Sequence, residues 1–138
     1  MDSPLKIPKV EKEGKICLVI ERDPFYRGFI DSFFKKVHIE LEFVQDGVSA
    51  LKKVKTRKPD LLISEAILPK VDGLTLCRHI RTDRRISDMP IIIFSVLEIE
   101  EEALDSGADS FLLKPFDEKE FAKAVSRFLP VQVKELNE

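Results

Sequence analysis

Long apolar runs are missing from this chain. No stretch approaches the ~18 residues of a membrane span, and the charged amino-terminal segment lacks the apolar core of a signal peptide, so the protein is expected in the cytoplasm. Charge of one sign is missing too. With 23 Lys and Arg against 25 Asp and Glu, the formal charge is −2, and no long-range field recruits nucleic acid or an anionic membrane. Partners must then be selected by local surface. Cysteine is scarce: Cys17 and Cys77 lie far apart in apolar stretches, without the CxxC or Cys/His spacing of metal or redox chemistry, and read as reduced core thiols. The segment after the first apolar run, Glu21-Arg22-Asp23-Pro24, is not a glycine-rich phosphate loop, so a nucleotide-binding enzyme has no motif here. His38 and His79 have polar neighbours and no partner at nucleophile or metal spacing, which makes them solvated residues. Lys52 to Lys58 reads as an exposed basic face without the interleaved aromatics that single-stranded nucleic acid requires.

What is present is an alternating pattern. The chain has 138 residues, 43% of them apolar, enough to bury one core of ordinary size. Residues 1–14 mix prolines and charges without periodicity and read as an extension, residues 15–130 as one domain, and residues 131–138 as a tail or linker. Ile16 to Ile20 is a short continuous apolar run, as in a strand covered on both faces. Asp23-Pro24 then supplies an N-cap and a first-turn proline, with Phe25, Phe29, Phe33 and Val37 recurring along one helical face. The alternation repeats. Ile39 to Val44 reads as a strand, Asp46 caps a helix with Val48, Leu51 and Val54 inward, and Leu61 to Ser64 is a second buried strand. A loop with Asp72-Gly73 leads to a helix burying Leu74, Cys77 and Ile80, and Ile91 to Ser95 follows as a strand. A short acidic helix from Glu98 to Ser106 ends at Gly107, Phe111 to Leu113 makes the fifth strand, and Asp117 with Glu120 forms a capping box for the last helix. Five βα repeats predict an α/β fold: a five-stranded parallel sheet, doubly wound in the flavodoxin-like manner, with sites at the carboxyl ends of the central strands.

The residues at those ends are Glu21 and Arg22 after the first strand, Glu65 after the third, Ser95 closing the fourth and Lys114 after the fifth. Carboxylates, a hydroxyl and a lysine in one crevice nearly make a phosphoryl-accepting site. Over nearly all of Lys15 to Leu129 the chain resembles the receiver domain of two-component response regulators. The resemblance is carried by Ile20-Glu21-Arg22-Asp23-Pro24, by Pro59-Asp60 through Gly73 with its Pro-x-x-Asp-Gly loop, and by Gly107-Ala108-Asp109 through Lys114-Pro115-Phe116. It implies a carboxylate pair that binds Mg²⁺ with a phosphoacceptor aspartate. That aspartate takes phosphate from a histidine kinase, a hydroxyl and a lysine hold the phosphoryl oxygens, and an aromatic switch residue sits on the fifth strand.

Carried over by position, Glu21 matches the first acid, Ser95 the hydroxyl, Lys114 the lysine and Phe111 the switch aromatic. Arg22 stands where the second acid is expected, and Glu65 stands at the phosphoacceptor position. Both departures strike the chemistry, because Arg22 adds a cation where a divalent metal needs oxygen ligands. A guanidinium pairs bidentately with carboxylates, so Arg22 is expected to fill the metal's place in a salt bridge to Glu65 or Glu21. Mg²⁺ binding is accordingly expected to be absent or weak, and no catalytic residue is assigned. Glu65 has three readings: a strand-end carboxylate that pairs with Lys114 or Arg22 and keeps the fold, a fixed mimic of the phosphorylated state, or a residual acceptor. Asp23 reads as a helix cap only. Ser64 points to the other sheet face and is a poor substitute acceptor. The resulting expectation is a non-enzymatic, degenerate receiver that works as a protein-interaction module through its fourth helix, fifth strand and fifth helix, with a second copy of the chain as one admissible partner. Its rival is a conventional receiver that still binds Mg²⁺ and accepts phosphate.

Overall fold

The computed structural model describes residues 14–131, so the expected extension, but for Gly14, and residues 132–138 of the tail lie outside the described part. Five strands alternate with five helices. They are β1 (Ile16–Ile20), α1 (Pro24–Val37), β2 (Glu40–Val44), α2 (Gly47–Arg57), β3 (Leu61–Glu65), α3 (Gly73–Thr82), β4 (Ile91–Ser95), α4 (Glu100–Asp105), β5 (Ser110–Leu113) and α5 (Glu118–Ser126). The sheet order is β2-β1-β3-β4-β5 and every pairing is parallel, as the alternation predicts.

Strand alternation divides the core into two layers. Leu18, Ile20, Leu62 and Ile93 face α2, α3 and α4, where Ala50, Val54, Leu76, Ile80 and Ala103 meet them. Cys17, Val19, Leu61, Ile63 and Phe94 face α1 and α5, against Ile30, Phe33, Phe34, Phe121 and Val125. Both cysteines are buried and unpaired, and burial pushes both thiols up, as expected of inert core residues.

Caps set the helix starts. The side chains of Asp23, Asp46, Asp72 and Asp117 each accept from a backbone amide of the first turn, and Asp117 with Glu120 completes the capping box. The inward faces of α1 and α2 differ from the sequence reading. Phe25 is 70% exposed and Val48 is 43% exposed, whereas α1 buries Ile30, Phe33 and Phe34, and α2 buries Ala50 and Val54. Both misplaced residues sit in the first turn of their helices, where the chain has only just left the sheet and has not yet turned its apolar stripe onto it. One glycine is dictated by contact at the site itself: a Cβ on Gly73 would lie 2.2 Å from the carbonyl oxygen of Glu65. The start of α3 therefore rests directly on the end of β3.

Candidate functional site

The parallel sheet delivers the predicted residues to one edge. Glu21 follows β1, Glu65 ends β3 opposite Phe94 of β4, and Lys114 follows β5, its backbone amide donating to the Ser95 carbonyl at 2.8 Å. The Lys114 ammonium then reaches back across the sheet. It donates to Glu21 Oε1 at 2.7 Å and to Glu65 Oε2. The second oxygen of Glu21 accepts the Asp23 backbone amide at 2.8 Å, so neither carboxylate oxygen of this buried side chain is left free. Lys114 is only 5% exposed.

Two aromatic rings complete the enclosure. Lys114 Nζ lies 4.2 Å from the ring centroid of Tyr26 and 4.8 Å from that of Phe94, both within cation–π range. Phe94 in turn stacks on Phe116, and Phe116 on Phe121, which ties the crevice floor to α5. Burial pushes the Lys114 ammonium down, but its hydrogen bonds to Glu21 and Glu65 and their charges outweigh that and hold it above its ordinary value. Burial pushes the Glu65 carboxyl up against the opposing pull of Lys114. Two carboxylates and two ring faces surround this one ammonium and hold the lysine charged.

Glu21, Glu65 and Lys114 are thus brought together, and Arg22 is not. It is exposed and makes no ion pair among the described residues, so the expected salt bridge to Glu65 or Glu21 and the expected occupation of the metal's place are both corrected. Successive residues at a strand end point opposite ways; once Glu21 turns inward, Arg22 turns to solvent. The crevice therefore holds two carboxylates and one ammonium, rather than the neutral balance that counting Arg22 would give. Ser95 is buried where predicted, but its hydroxyl accepts the Leu97 amide at 3.1 Å instead of engaging Glu65. Ser64 is buried beside the site, with its hydroxyl donating to the Glu65 carbonyl oxygen at 2.8 Å. Phe111 is half-buried against the α2-α3-α4 layer, and with Leu113 it floors a shallow groove of about 460 Å³ edged by Glu98, Glu100, Glu101 and Glu102. Sequence reasoning missed Tyr26 and Phe94 as parts of the site. Phe94 carried a signal, since it precedes Ser95 in an apolar strand; Tyr26 carried none, because its approach to Lys114 depends on how α1 crosses the sheet.

The donor set also decides what the crevice fits. Mg²⁺ favours octahedral oxygen ligation, usually with one or two carboxylates and several waters. Here both inward carboxylates are engaged by Lys114, and among the described residues no group of three His, Cys, Asp or Glu side chains is placed to hold a metal. As arranged, these residues do not fit the ion.

A doubly wound parallel sheet with an acid–lysine crevice at its carboxyl edge defines the class of protein. Within that class, residues 17–126 match the response regulator receiver domain, and the chain belongs to that family. It is 32% identical over 115 residues to the DNA-binding dual master transcriptional regulator RpaA of a Synechocystis species, covering 81% of this chain and 48% of that protein. It is 36% identical over 119 residues to the alkaline phosphatase synthesis transcriptional regulatory protein PhoP of Bacillus subtilis, covering 84% of this chain and 49% of that protein. The chain thus spans about half the length of these relatives, and only 9% of a 35% identical histidine kinase P4 from Formosa agariphila. Among solved structures, the receiver domain of the Francisella response regulator 1452 superposes with a TM-score of 0.75 at 29% identity, covering 83% of this chain and 96% of that one. No helix among the described residues is long and apolar enough to cross a membrane.

Proposed function

We propose that this receiver domain works as a phosphorylation-independent interaction module of two-component signalling, neither binding Mg²⁺ in its crevice nor accepting phosphate. The observation that carries this reading is the Lys114 ammonium seated between Glu21 and Glu65. A single protein cation takes both inward carboxylates, and the position of the second acid is held by an arginine that faces solvent. Phosphoryl transfer is driven by positioning and by metal-assisted charge neutralisation, and little of either remains without the ion. Glu65 carries its carboxylate one methylene further than aspartate, where it holds Lys114 without any modification. In this reading the signalling surface is the Phe111 groove formed by α4 and β5, together with α5, and its state is set by the partner that binds it.

Two measurements test the proposal. Millimolar Mg²⁺ should leave the melting temperature unchanged, whereas binding to the folded state would raise it. Acetyl phosphate should add no phosphoryl mass. A Mg²⁺-dependent stabilisation that disappears in Glu21→Gln, or a stoichiometric phosphoryl adduct, overturns the reading. Arg22→Asp combined with Glu65→Asp should restore both properties.

A second reading, a receiver that accepts phosphate, is favoured by one observation: Ser95 and Lys114 stand at the family's hydroxyl and lysine positions, as the regulators that resemble this chain would lead one to expect. The same adduct measurement decides between the two. If Glu65 also biases the surface, Glu65→Ala should move Phe111 and change partner affinity by roughly fivefold to a hundredfold, the usual size of such couplings. An unchanged Phe111 environment and affinity would leave Glu65 a purely structural carboxylate.

A further inference from the structure

The helical layer formed by α2, α3 and α4 is electrically lopsided although the chain is nearly neutral. At its amino-edge corner, the end of α2 and the loop after α3 enclose a groove of about 480 Å³ lined by Leu51, Lys55, His79, Asp83, Arg84 and Arg85. The groove runs on past Lys58 and Ile86 toward the start of β3. Lys52, Lys55, Lys58 and Arg84 are exposed, and none forms an ion pair with another described residue. At the opposite corner, where β4 ends, Glu98, Glu100, Glu101, Glu102 and Asp105 are exposed and likewise unpaired among the described residues. Leu97 and Leu104 stand exposed beside them, at 46% and 43%.

We propose that the basic α2–α3 groove is a docking site for a second copy of this chain, whose acidic α4 edge it receives. Charge complementarity selects the occupant. The two patches have opposite sign and similar charge count, they lie at opposite ends of the same layer, and so they cannot neutralise each other within one molecule. Two copies placed antiparallel, layer to layer, satisfy both contacts at once, the self-complementary arrangement of a two-fold pair. Leu97 and Leu104 supply apolar contact that can meet Leu51 at the groove wall. The contact is small and charge-driven, which makes it weak, transient and strongly dependent on salt. Its acidic half edges the Phe111 groove, whereas its basic half, the α2–α3 groove, contains neither Glu65 nor Lys114.

Sedimentation of the full chain over a concentration series reaching about 1 mM, the dissociation constant of a very weak contact, tests it. Association should appear at low salt and vanish near ~1 M salt, where screening acts within about 3 Å. Lys52→Glu, Lys55→Glu and Arg84→Glu together should weaken it roughly tenfold or more, since like charges then face each other. Glu100→Lys, Glu101→Lys and Glu102→Lys should do the same, and Glu100→Gln with Glu101→Gln and Glu102→Gln gives the same direction without reversing charge at the start of a helix. The decisive step is mixing: the two reversed proteins, each monomeric alone, should associate with one another. A wild-type chain that stays monomeric throughout at low salt overturns the proposal. So does association that both reversals leave intact, or a monomer that instead binds a poly-glutamate peptide in the groove. Lys52→Glu, Lys55→Glu and Arg84→Glu lie outside the crevice and should leave the responses to Mg²⁺ and acetyl phosphate unchanged, which separates failure here from failure of the crevice reading.

Discussion

Lys114 is the residue on which the crevice turns, because its ammonium is the common partner of two carboxylates that would otherwise be buried without compensation. Removing it by Lys114→Met should cost about 3–5 kcal/mol in urea unfolding, the range for breaking a buried ion pair from one side. Glu65→Gln should cost much less, under about 1 kcal/mol, because Lys114 keeps Glu21 and Glu65 is partly open to solvent. The pH dependence follows from the direction of the Lys114 shift. A lysine held above its ordinary value of 10.5 stabilises the fold fully below that pH, and this contribution is lost as the pH rises through the higher folded value. Wild type should therefore lose melting temperature above pH 10.5 more steeply than Lys114→Met, whose remaining lysines titrate alike in both proteins. Equal slopes would show that the ammonium gains nothing from its two partners. All three charged members of the site were legible in the sequence by their place after strands, and so was Lys114 as one of two candidate partners for Glu65, but that it would also serve Glu21 was not. The residues read as a set, and only their reach decided that Lys114, rather than Arg22, would serve both acids.

At the scale of elements, the site depends on two helix starts. Gly73 opens α3 against the end of β3, so Gly73→Ala should push a methyl into the Glu65 carbonyl and displace the strand end. Overpacking of this kind typically costs ~1–3 kcal/mol. Destabilisation should come with a shift in the Tyr26 environment, since moving Glu65 moves its lysine. At the start of α5, between Phe116 and Phe121 of the stack that floors the crevice, Asp117→Ala removes the capping box and should cost about 1 kcal/mol, measured by chemical denaturation. Asp72 reads in the sequence only as part of a loop, but helix identity and order, and the caps Asp23, Asp46 and Asp117, could be read from spacing and turn residues. The inward face of the first turns could not: Phe25 has the right period and the wrong position, because a helix is aimed at the sheet by its whole length and not by its first residue.

For the whole molecule, the two core layers share one sheet and should melt together. The chain has one tyrosine and no tryptophan, and Tyr26 lies over Lys114, so its emission reports the crevice while far-UV circular dichroism reports the helices. The two transitions should coincide on urea unfolding, as they do for cooperative single domains. A separate early change in Tyr26 emission would mean that the crevice opens before the sheet.

The sequence by itself determined the architecture, since buried strands, helical periodicity and caps are local patterns, and five βα repeats admit few ways of covering a parallel sheet. It also determined which residues stand at the carboxyl edge, because strand ends are set by where the apolar runs stop. Only the tertiary structure decided which of them meet. Lys114 is 93 residues from Glu21 and 49 from Glu65, and Tyr26 reaches it from a helix on one face of the sheet. Contacts of that range depend on the crossing of helices, the twist of the sheet and the length of each side chain, none of which is written in the local spacing. The same holds for Arg22, whose charge was plain in the sequence but whose direction followed from its neighbour Glu21 turning inward first.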